Sequence, residues 1–127
     1  MAGYATYLQR LAKSGANVLV VQDTPYPGIT IPDCLAKHTT SQDACGGTPS
    51  SWAWQNPLFD EATSLALPNV SLLPTTQFLC TATVCPAVIG GVVAYSDASH
   101  MTATYSRSIA PFIDAQIEAA LAKGAGA

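Results

Sequence analysis

The sequence has few charged side chains, and the basic ones are the scarcer. Among 127 residues, 5 are Lys or Arg and 8 are Asp or Glu, so the net charge at pH 7 is −3. A protein that follows a nucleic acid backbone needs a surface on which many basic side chains gather. Five such residues cannot form that surface, so the composition argues against nucleic acid as a partner.

Long apolar runs are also missing. The longest are residues 18–21 and 87–95, and both are far shorter than a segment that crosses a bilayer. Residues 1–13 alternate polar and apolar side chains at helical spacing, without the unbroken apolar stretch of a signal peptide. Any export signal is therefore expected to lie outside this sequence.

The composition is not that of a disordered chain. Hydrophobic residues make up 49% of the sequence and charged residues 10%, which is the balance of a protein that buries a core. With 127 residues, the chain is long enough for one such core and too short for two. We therefore predict a single domain over residues 1–127.

The four cysteines fall into two local pairs, Cys34 with Cys45 and Cys80 with Cys85. Four cysteines allow three pairings, and local disulfides are favoured because each pair brackets a loop-like segment. Disulfides would place the protein in an oxidising compartment. The alternatives are a zinc site and free thiols. Only Cys80-x₄-Cys85 approaches the spacing of a zinc ligand pair, and Pro86 stiffens the backbone after it.

A helix and then a strand are predicted at the start of the chain. Residues 4–12 place apolar side chains on one helical stripe, and Gly15 stands where a left-handed helix end is expected. Residues 17–22 form a β-branched run typical of a strand that is buried on both faces. Residues 24–51 are rich in Pro, Gly, Thr and Asp, which predicts a long loop tied down by the first cysteine pair.

The remaining elements follow the same alternation. Asn56 is a predicted N-cap for a helix over residues 57–65, and a second strand is predicted at residues 70–73. After another loop, residues 90–95 predict a third short strand or hairpin edge. Thr102 is the predicted N-cap of the last helix. The apolar stripe of this helix comprises Tyr105, Ile109, Ile113, Ile117 and Ala120, with Phe112 and Leu121 beside it and a kink expected at Pro111.

This order of elements predicts an α/β protein with a parallel sheet. Three short strands make a small sheet, so the pattern indicates part of a larger doubly wound sheet. In such sheets, ligands gather where the strands end at their carboxyl side. Residues 97–100, Asp-Ala-Ser-His, stand at such a place, between the third strand and the last helix.

Asp97 and His100 are the residues that could carry chemistry. On a turn, a three-residue offset lets the carboxylate reach the nearer ring nitrogen of the histidine. The carboxylate then fixes the tautomer and stabilises the imidazolium, while the far nitrogen takes a proton from an alcohol. The structural alternative is that Asp97 turns the chain before the last helix and that His100 is a solvated first-turn residue.

Other polar and aromatic residues receive structural interpretations. His38 lies beside Lys37 in the first cysteine loop and is predicted to be an exposed polar residue. Trp52 and Trp54 are interpreted as packing residues rather than a substrate platform. Asp23 ends a predicted strand, but Asp-Thr-Pro is turn chemistry in its own right.

Residues 80–113 resemble the final block of the SGNH (GDSL-like) hydrolases. They are most similar to the SGNH domains fused to bacterial membrane acyltransferases that acylate cell-surface glycans. In that group a cysteine pair precedes a Tyr-x-Asp-x-x-His-Met-Thr-like block, which here is residues 95–102, and a helix with Tyr and Ala-Pro follows. The strand with Asp-Thr-Pro at residues 18–25 and Asp-Cys-Leu at residues 33–35 also resemble that group, so the likeness runs over about residues 16–121.

The resemblance implies a three-layer αβα, flavodoxin-like fold, with Asp97 as the triad acid and His100 as the general base. It implies neither a cofactor nor a metal. The family's Gly-Asp-Ser-like block, which carries the nucleophile, is not found in the sequence, and neither are the oxyanion donors. We therefore expect an incomplete SGNH domain, lacking its N-terminal strand and nucleophile, that is nearly inactive alone.

The expected parent reaction moves or hydrolyses an acyl ester on a cell-envelope carbohydrate, outside the membrane. The substrate would be an acylated carbohydrate or an acyl donor, and the expected partner is an upstream membrane acyltransferase segment or a second copy of the chain. The alternative is a non-enzymatic module that binds a glycan or a protein. In a third reading, Ser96, Ser99, Ser50 or Ser51 replaces the nucleophile, although Ser96 and Ser99 flank the acid too closely for in-line attack.

Overall fold

A computed structural model describes residues 2–125, and helices and short strands alternate along them. The α-helices are α1 (Ala2–Lys13), α2 (Ile31–Lys37), α3 (Pro57–Leu65), α4 (Thr76–Leu79) and α5 (Ala103–Ala125), and a 3₁₀ turn spans Gln42–Cys45. The strands are β1 (Val18–Val21), β2 (Val70–Leu73), β3 (Val88–Ile89) and β4 (Val92–Val93). Among the described helices, none combines the length and the apolar character that crossing a bilayer requires.

Contacts divide the described residues into two compact units. The first takes in residues 2–22, 55–74 and 111–125, and the second takes in residues 23–54 and 75–110. The α/β class predicted from the sequence is confirmed by the helices and the parallel strand pair. The three-layer arrangement, the missing N-terminal strand and the single domain stay predictions.

The first unit is built on the pairing of β1 with β2. The two strands run parallel, with Val18 opposite Val70 and Val21 opposite Leu73. Leu8 of α1 and Ala62 of α3 are buried in one cluster with strand residues Val20 and Val70. The bounds of α3 and β2 agree with the prediction. Burial of β1 on both faces was wrong, because Val21 is exposed.

The end of α1 is fixed by a glycine and by a distant side chain. Gly15 has φ +85°, the left-handed conformation that the sequence predicted for the helix end. The Asn69 side-chain amide donates to the carbonyl oxygens of Ala12 at 2.8 Å and Ala16 at 2.9 Å. These two bonds join the end of α1 and the residues that follow it to the start of β2.

The second unit is held by two disulfides, as predicted. Cys34 of α2 is bonded to Cys45 at the end of the 3₁₀ turn, and Cys80 is bonded to Cys85. No cysteine of the described chain is free, so the zinc and free-thiol alternatives are wrong. By loop-closure entropy, the first bridge contributes about 3 kcal/mol to the free energy of unfolding and the second about 2 kcal/mol.

Both predicted loops contain short helices. Residues 24–51 hold α2 and the 3₁₀ turn, and residues 74–86 hold α4. Pro32 lies in the first turn of α2, where its missing N–H costs no helical bond, so a Pro-rich segment still starts a helix. Helices of four to seven residues leave too little periodicity for the sequence to indicate them.

The third predicted strand is a two-stranded hairpin. β3 pairs antiparallel with β4, and Gly90 and Gly91 between them have φ +58° and +78°. Two left-handed residues are what a tight hairpin turn requires, which explains the Gly-Gly pair. Within the described chain, the hairpin forms a two-stranded sheet that is separate from the β1–β2 pair, so the predicted three-stranded sheet is wrong.

The predicted N-cap of α5 is confirmed. The backbone N–H of Tyr105 donates to Thr102 Oγ1 at 3.2 Å, and the helix begins at Ala103. The predicted apolar stripe is buried only in part, because Ile117 is exposed, as is Phe112 beside the stripe, while Tyr105 and Ile109 are buried. Pro111 lies inside the helix, and the kink expected there stays a prediction.

Tyr95 carries a buried hydroxyl that allows a prediction about stability. The side chain is fully buried, and its hydroxyl has no hydrogen-bond partner among the described residues. An unmade bond at a buried polar group is a cost that phenylalanine does not carry. We expect Tyr95→Phe to raise the free energy of unfolding by about 1 kcal/mol or leave it unchanged, as measured by urea unfolding.

The matched control is Tyr105→Phe. The Tyr105 hydroxyl donates to the Phe78 carbonyl oxygen, so this variant is expected to lose about 1 kcal/mol. A loss for Tyr95→Phe as large as that for Tyr105→Phe would mean that the Tyr95 hydroxyl is bonded in solution.

Candidate active site

Residues 96–100 form a short closed loop between β4 and α5. Tyr95 and Met101 pair as an antiparallel bridge at its base. Inside this bridge, the backbone N–H of Ser96 donates to the carbonyl oxygen of His100 at 2.8 Å. The loop therefore has little freedom, and its side chains are carried by a fixed backbone.

Asp97 organises the loop from within. Its Oδ1 accepts the backbone N–H of Ser99 at 2.8 Å and that of His100 at 2.7 Å. Its Oδ2 lies 2.8 Å from Nδ1 of the His100 ring. The contact that the three-residue spacing predicted is thus present, and the same carboxylate also shapes the turn, as the structural alternative proposed.

These bonds favour the ionised form of Asp97. The backbone N–H of Ser99, then that of His100, and then the His100 side chain lower the pKa of Asp97 from 3.8 to about 2. Both side chains are nevertheless open to solvent, with 50% of Asp97 and 77% of His100 exposed. Asp97 therefore stays a carboxylate down to about pH 2 and stays accessible.

The arrangement orients the histidine for proton transfer. A carboxylate bonded to Nδ1 places the proton of the neutral ring on that nitrogen and leaves Nε2 to accept a proton. Because the ring is largely exposed, a hydroxyl group can approach it from solvent. The pair can therefore act as a general base toward an alcohol, and its two residues have the relation that acid and base have in a Ser-His-Asp triad.

The two serines of the loop are not placed as nucleophiles. Ser99 Oγ lies 3.3 Å from Nδ1 of His100, the ring nitrogen that already faces Asp97. Ser96 Oγ donates to the His100 carbonyl oxygen at 3.2 Å. A nucleophile activated by this histidine would have to face Nε2, so neither contact activates a serine.

Ser50 and Ser51 belong to a different turn. Ser51 Oγ donates to the Thr48 carbonyl oxygen at 3.1 Å and accepts the Thr48 backbone N–H at 2.9 Å. Ser50 Oγ lies 3.2 Å from Thr48 Oγ1. The contacts of these hydroxyl groups lie within their own turn.

A neighbouring segment supports the loop from outside. The backbone N–H of Gly28 donates to the Ala98 carbonyl oxygen at 3.0 Å, and Thr24 Oγ1 donates to the Ser99 carbonyl oxygen at 3.4 Å. Asp23 Oδ1 accepts the backbone N–H of Thr24 at 2.9 Å, and the turn role of Asp23 stays a prediction. The Asp-Thr-Pro segment therefore positions the Asp97–His100 loop.

The remaining candidates separate into structural and exposed residues. His38 is exposed at the end of α2, in agreement with the prediction. Trp52 is buried and packs edge-on against Tyr95, which confirms its packing role. Trp54 differs from the prediction, because it is half exposed and stacks on Tyr26, a residue that the sequence did not single out.

A shallow cavity of about 490 Å³ lies elsewhere in the second unit. It is lined by residues near the two disulfides, Asp43, Gly47 and Pro86 among them, and Asp97 and His100 are not in its wall. The described residues hold no group of three or more His, Cys, Asp or Glu side chains that could bind a metal ion.

A family model matches most of the chain. The SGNH domain (fused to AT3 domains) matches residues 1–115, a range that includes the whole Asp97–His100 loop and the start of α5. No curated protein and no solved structure gives a significant match.

Proposed function

The chain belongs to the SGNH domains that are fused to AT3 domains, and on that premise we propose that Asp97 and His100 are the acid and the general base of an acyl transfer. One observation carries the proposal. The Asp97 carboxylate lies 2.8 Å from Nδ1 of His100, and the histidine ring is exposed on a rigid loop. That is the relation in which a carboxylate prepares an imidazole to take a proton from a serine.

The proposed step moves one proton in each direction. Nε2 of His100 takes the proton of a serine hydroxyl as the serine oxygen attacks the carbonyl carbon of an acyl ester. Asp97 stabilises the imidazolium that results. The imidazolium then returns the proton to the sugar oxygen that leaves, and water or a second hydroxyl group releases the acyl group from the serine by the reverse sequence.

The serine is proposed to come from polypeptide outside these residues. The sequence holds no Gly-Asp-Ser block, and the serines near His100 face the wrong ring nitrogen or the backbone. The chain alone is therefore proposed to be nearly inactive. Because the family's SGNH domains are fused to AT3 domains, the proposed partner is a membrane acyltransferase segment, and a second copy of the chain is the alternative.

The proposed substrate is an acyl ester of a cell-envelope carbohydrate, with the chain on the extracytoplasmic side of the membrane. Two disulfides support that location, because cysteine pairs persist in oxidising compartments. A catalytic pair whose side chains are exposed at the surface suits a polymer, since a long glycan cannot enter a closed pocket. No metal or cofactor takes part in the proposed step.

The tautomer of His100 tests the proposal on the purified chain. With a carboxylate on Nδ1, neutral His100 is expected to carry its proton on Nδ1, whereas exposed His38 is expected to carry it on Nε2. Long-range ¹H–¹⁵N spectra distinguish the two forms. Asp97→Asn is expected to reverse the His100 tautomer, because the asparagine amide donates to Nδ1.

His38 serves as the internal reference, since both histidines are observed in the same spectrum. If His100 in the unmodified chain has the same tautomer as His38, Asp97 does not orient it and the proposed catalytic pair is wrong.

A further inference from the structure

We infer that Tyr26 and Trp54 form a platform that binds a neutral sugar ring beside the Asp97–His100 loop. Their ring centroids are 4.6 Å apart and their planes meet at 28°. Both rings remain partly open to solvent, with 38% of Tyr26 and 53% of Trp54 exposed. In such a stack the rings cover each other's inner faces, and the outer face of an exposed aromatic ring is an apolar area on which one sugar ring can pack.

Three contacts place this platform next to the candidate site. A Cβ built on Gly28 would lie 3.4 Å from Cε1 of Tyr26, so the tyrosine ring leans over Gly28. The backbone N–H of Gly28 bonds to Ala98, the residue after Asp97. On the other side of Tyr26, Thr24 Oγ1 bonds to the Ser99 carbonyl oxygen. The tyrosine is therefore carried by the same segment that holds the Asp97–His100 loop.

The platform is supported before any ligand arrives. Tyr26 lies between Pro25 and Pro27, whose rings fix the backbone, and Pro25 is buried. The backbone N–H of Tyr26 donates to the carbonyl oxygen of Trp52 at 2.8 Å, and Trp52 is buried two residues before Trp54. A surface that is already ordered loses little entropy on binding, which favours a role in recognition.

The chemistry around the rings favours a neutral sugar. Residues 23–31 and 48–54, which carry the two aromatic rings, contain no Lys or Arg. They contain Asp23, and Asp97 lies on the adjoining loop, so an acidic sugar or a phosphate would be repelled by these carboxylates. The C–H face of a pyranose ring is apolar and packs on aromatic rings, while its hydroxyl groups project from the edge. One of these hydroxyl groups would face His100.

The inference rests on the proposed function only where a hydroxyl group of the bound ring faces His100; sugar binding itself is independent of catalysis. Binding is therefore measured on the purified chain, without turnover. The probes are two neutral pentasaccharides, cellopentaose and penta-N-acetylchitopentaose. Their binding is measured by calorimetry and by the NMR signals of the two indole N–H groups. We expect the Trp54 signal to shift and the signal of buried Trp52 to stay in place.

Variants assign the site. Trp54→Ala and Tyr26→Ala are each expected to weaken binding about tenfold, and Trp54→Phe less. Tyr7→Ala is the matched control, because Tyr7 on α1 is 55% exposed, and this variant is expected to bind as the unmodified chain does. Circular dichroism and thermal unfolding confirm that the variants keep their fold.

The outcomes separate this inference from the proposed function. Absence of binding to both sugars up to about 10 mM, or equal affinity for Trp54→Ala and the unmodified chain, overturns the platform. A shift of Trp54 with ethyl butyrate and with neither sugar assigns the surface to an acyl chain and also overturns it. His100→Ala is expected to retain sugar binding. If the unmodified chain binds the sugars but neutral His100 carries its proton on Nε2, the platform is supported and the catalytic pair is rejected.

Discussion

Gly47→Ala is expected to lower the free energy of unfolding of the second unit by about 3 kcal/mol, the upper end of what overpacking costs in a core. A Cβ at residue 47 would lie 2.2 Å from Nε1 of Trp52 and 2.4 Å from Cε2. Both distances are far inside the van der Waals separation of two such atoms. Either the backbone at Gly47 or the Trp52 ring must therefore move.

Neither of them can move without breaking other contacts. Gly47 is paired with Cys85, with its N–H donating at 2.9 Å and its carbonyl oxygen accepting at 2.7 Å. Trp52 is buried and lies edge-on to Tyr95, with ring centroids 5.6 Å apart. A displaced Trp52 would also pull on Tyr26, whose backbone N–H it accepts, so the damage is expected to reach the aromatic platform.

Urea unfolding followed by tryptophan fluorescence measures the effect. Gly3→Ala is the matched control, because a Cβ at Gly3 of α1 meets nothing within 4 Å and alanine favours a helix. This control is expected to unfold at the same or a higher urea concentration. An unchanged midpoint for Gly47→Ala would show that Trp52 is not packed against residue 47 in solution.

The sequence predicts well those features that neighbouring residues decide. α3 and β2 have their predicted bounds because their local signals are complete: a proline in the first helical turn of α3, and three apolar residues among the four of β2. Asp97 and His100 meet for the same reason, since three residues on a turn suffice to bring the carboxylate to the ring. The two disulfides are also local, because their cysteines are only 11 and 5 positions apart in the sequence.

Features that depend on distant residues could not be predicted from the same signals. Trp52 and Trp54 have the same local surroundings, yet Trp52 is buried and Trp54 is exposed. The difference arises because Gly47 leaves room for one indole ring, and Gly47 is in turn placed by its pairing with Cys85, 38 residues later. The stack of Trp54 on Tyr26 joins two loops in the same way. Periodicity carries no information about such pairs.

When the chain acts together with a nucleophilic serine, Asp97→Asn is expected to lower the rate of acyl transfer about 10⁴-fold. Asparagine can still accept the backbone N–H groups of Ser99 and His100, so the turn is expected to persist. Its amide, however, would donate to Nδ1 and place the ring proton on Nε2. Nε2 of His100 would then already carry a proton and could not accept one from the serine hydroxyl.

To test this, the chain is produced together with the membrane acyltransferase segment that is proposed as its partner. The rate of acetate release from an acetylated glycan is then measured. The chain by itself is expected to release acetate no faster than His100→Ala, and a fluorophosphonate probe identifies the polypeptide that carries the serine. Asp60→Asn, the same chemical change at an exposed carboxylate of α3, is expected to keep full activity. Activity of Asp97→Asn within tenfold of the unmodified protein would mean that His100 works without a carboxylate partner, and the triad assignment would then fail.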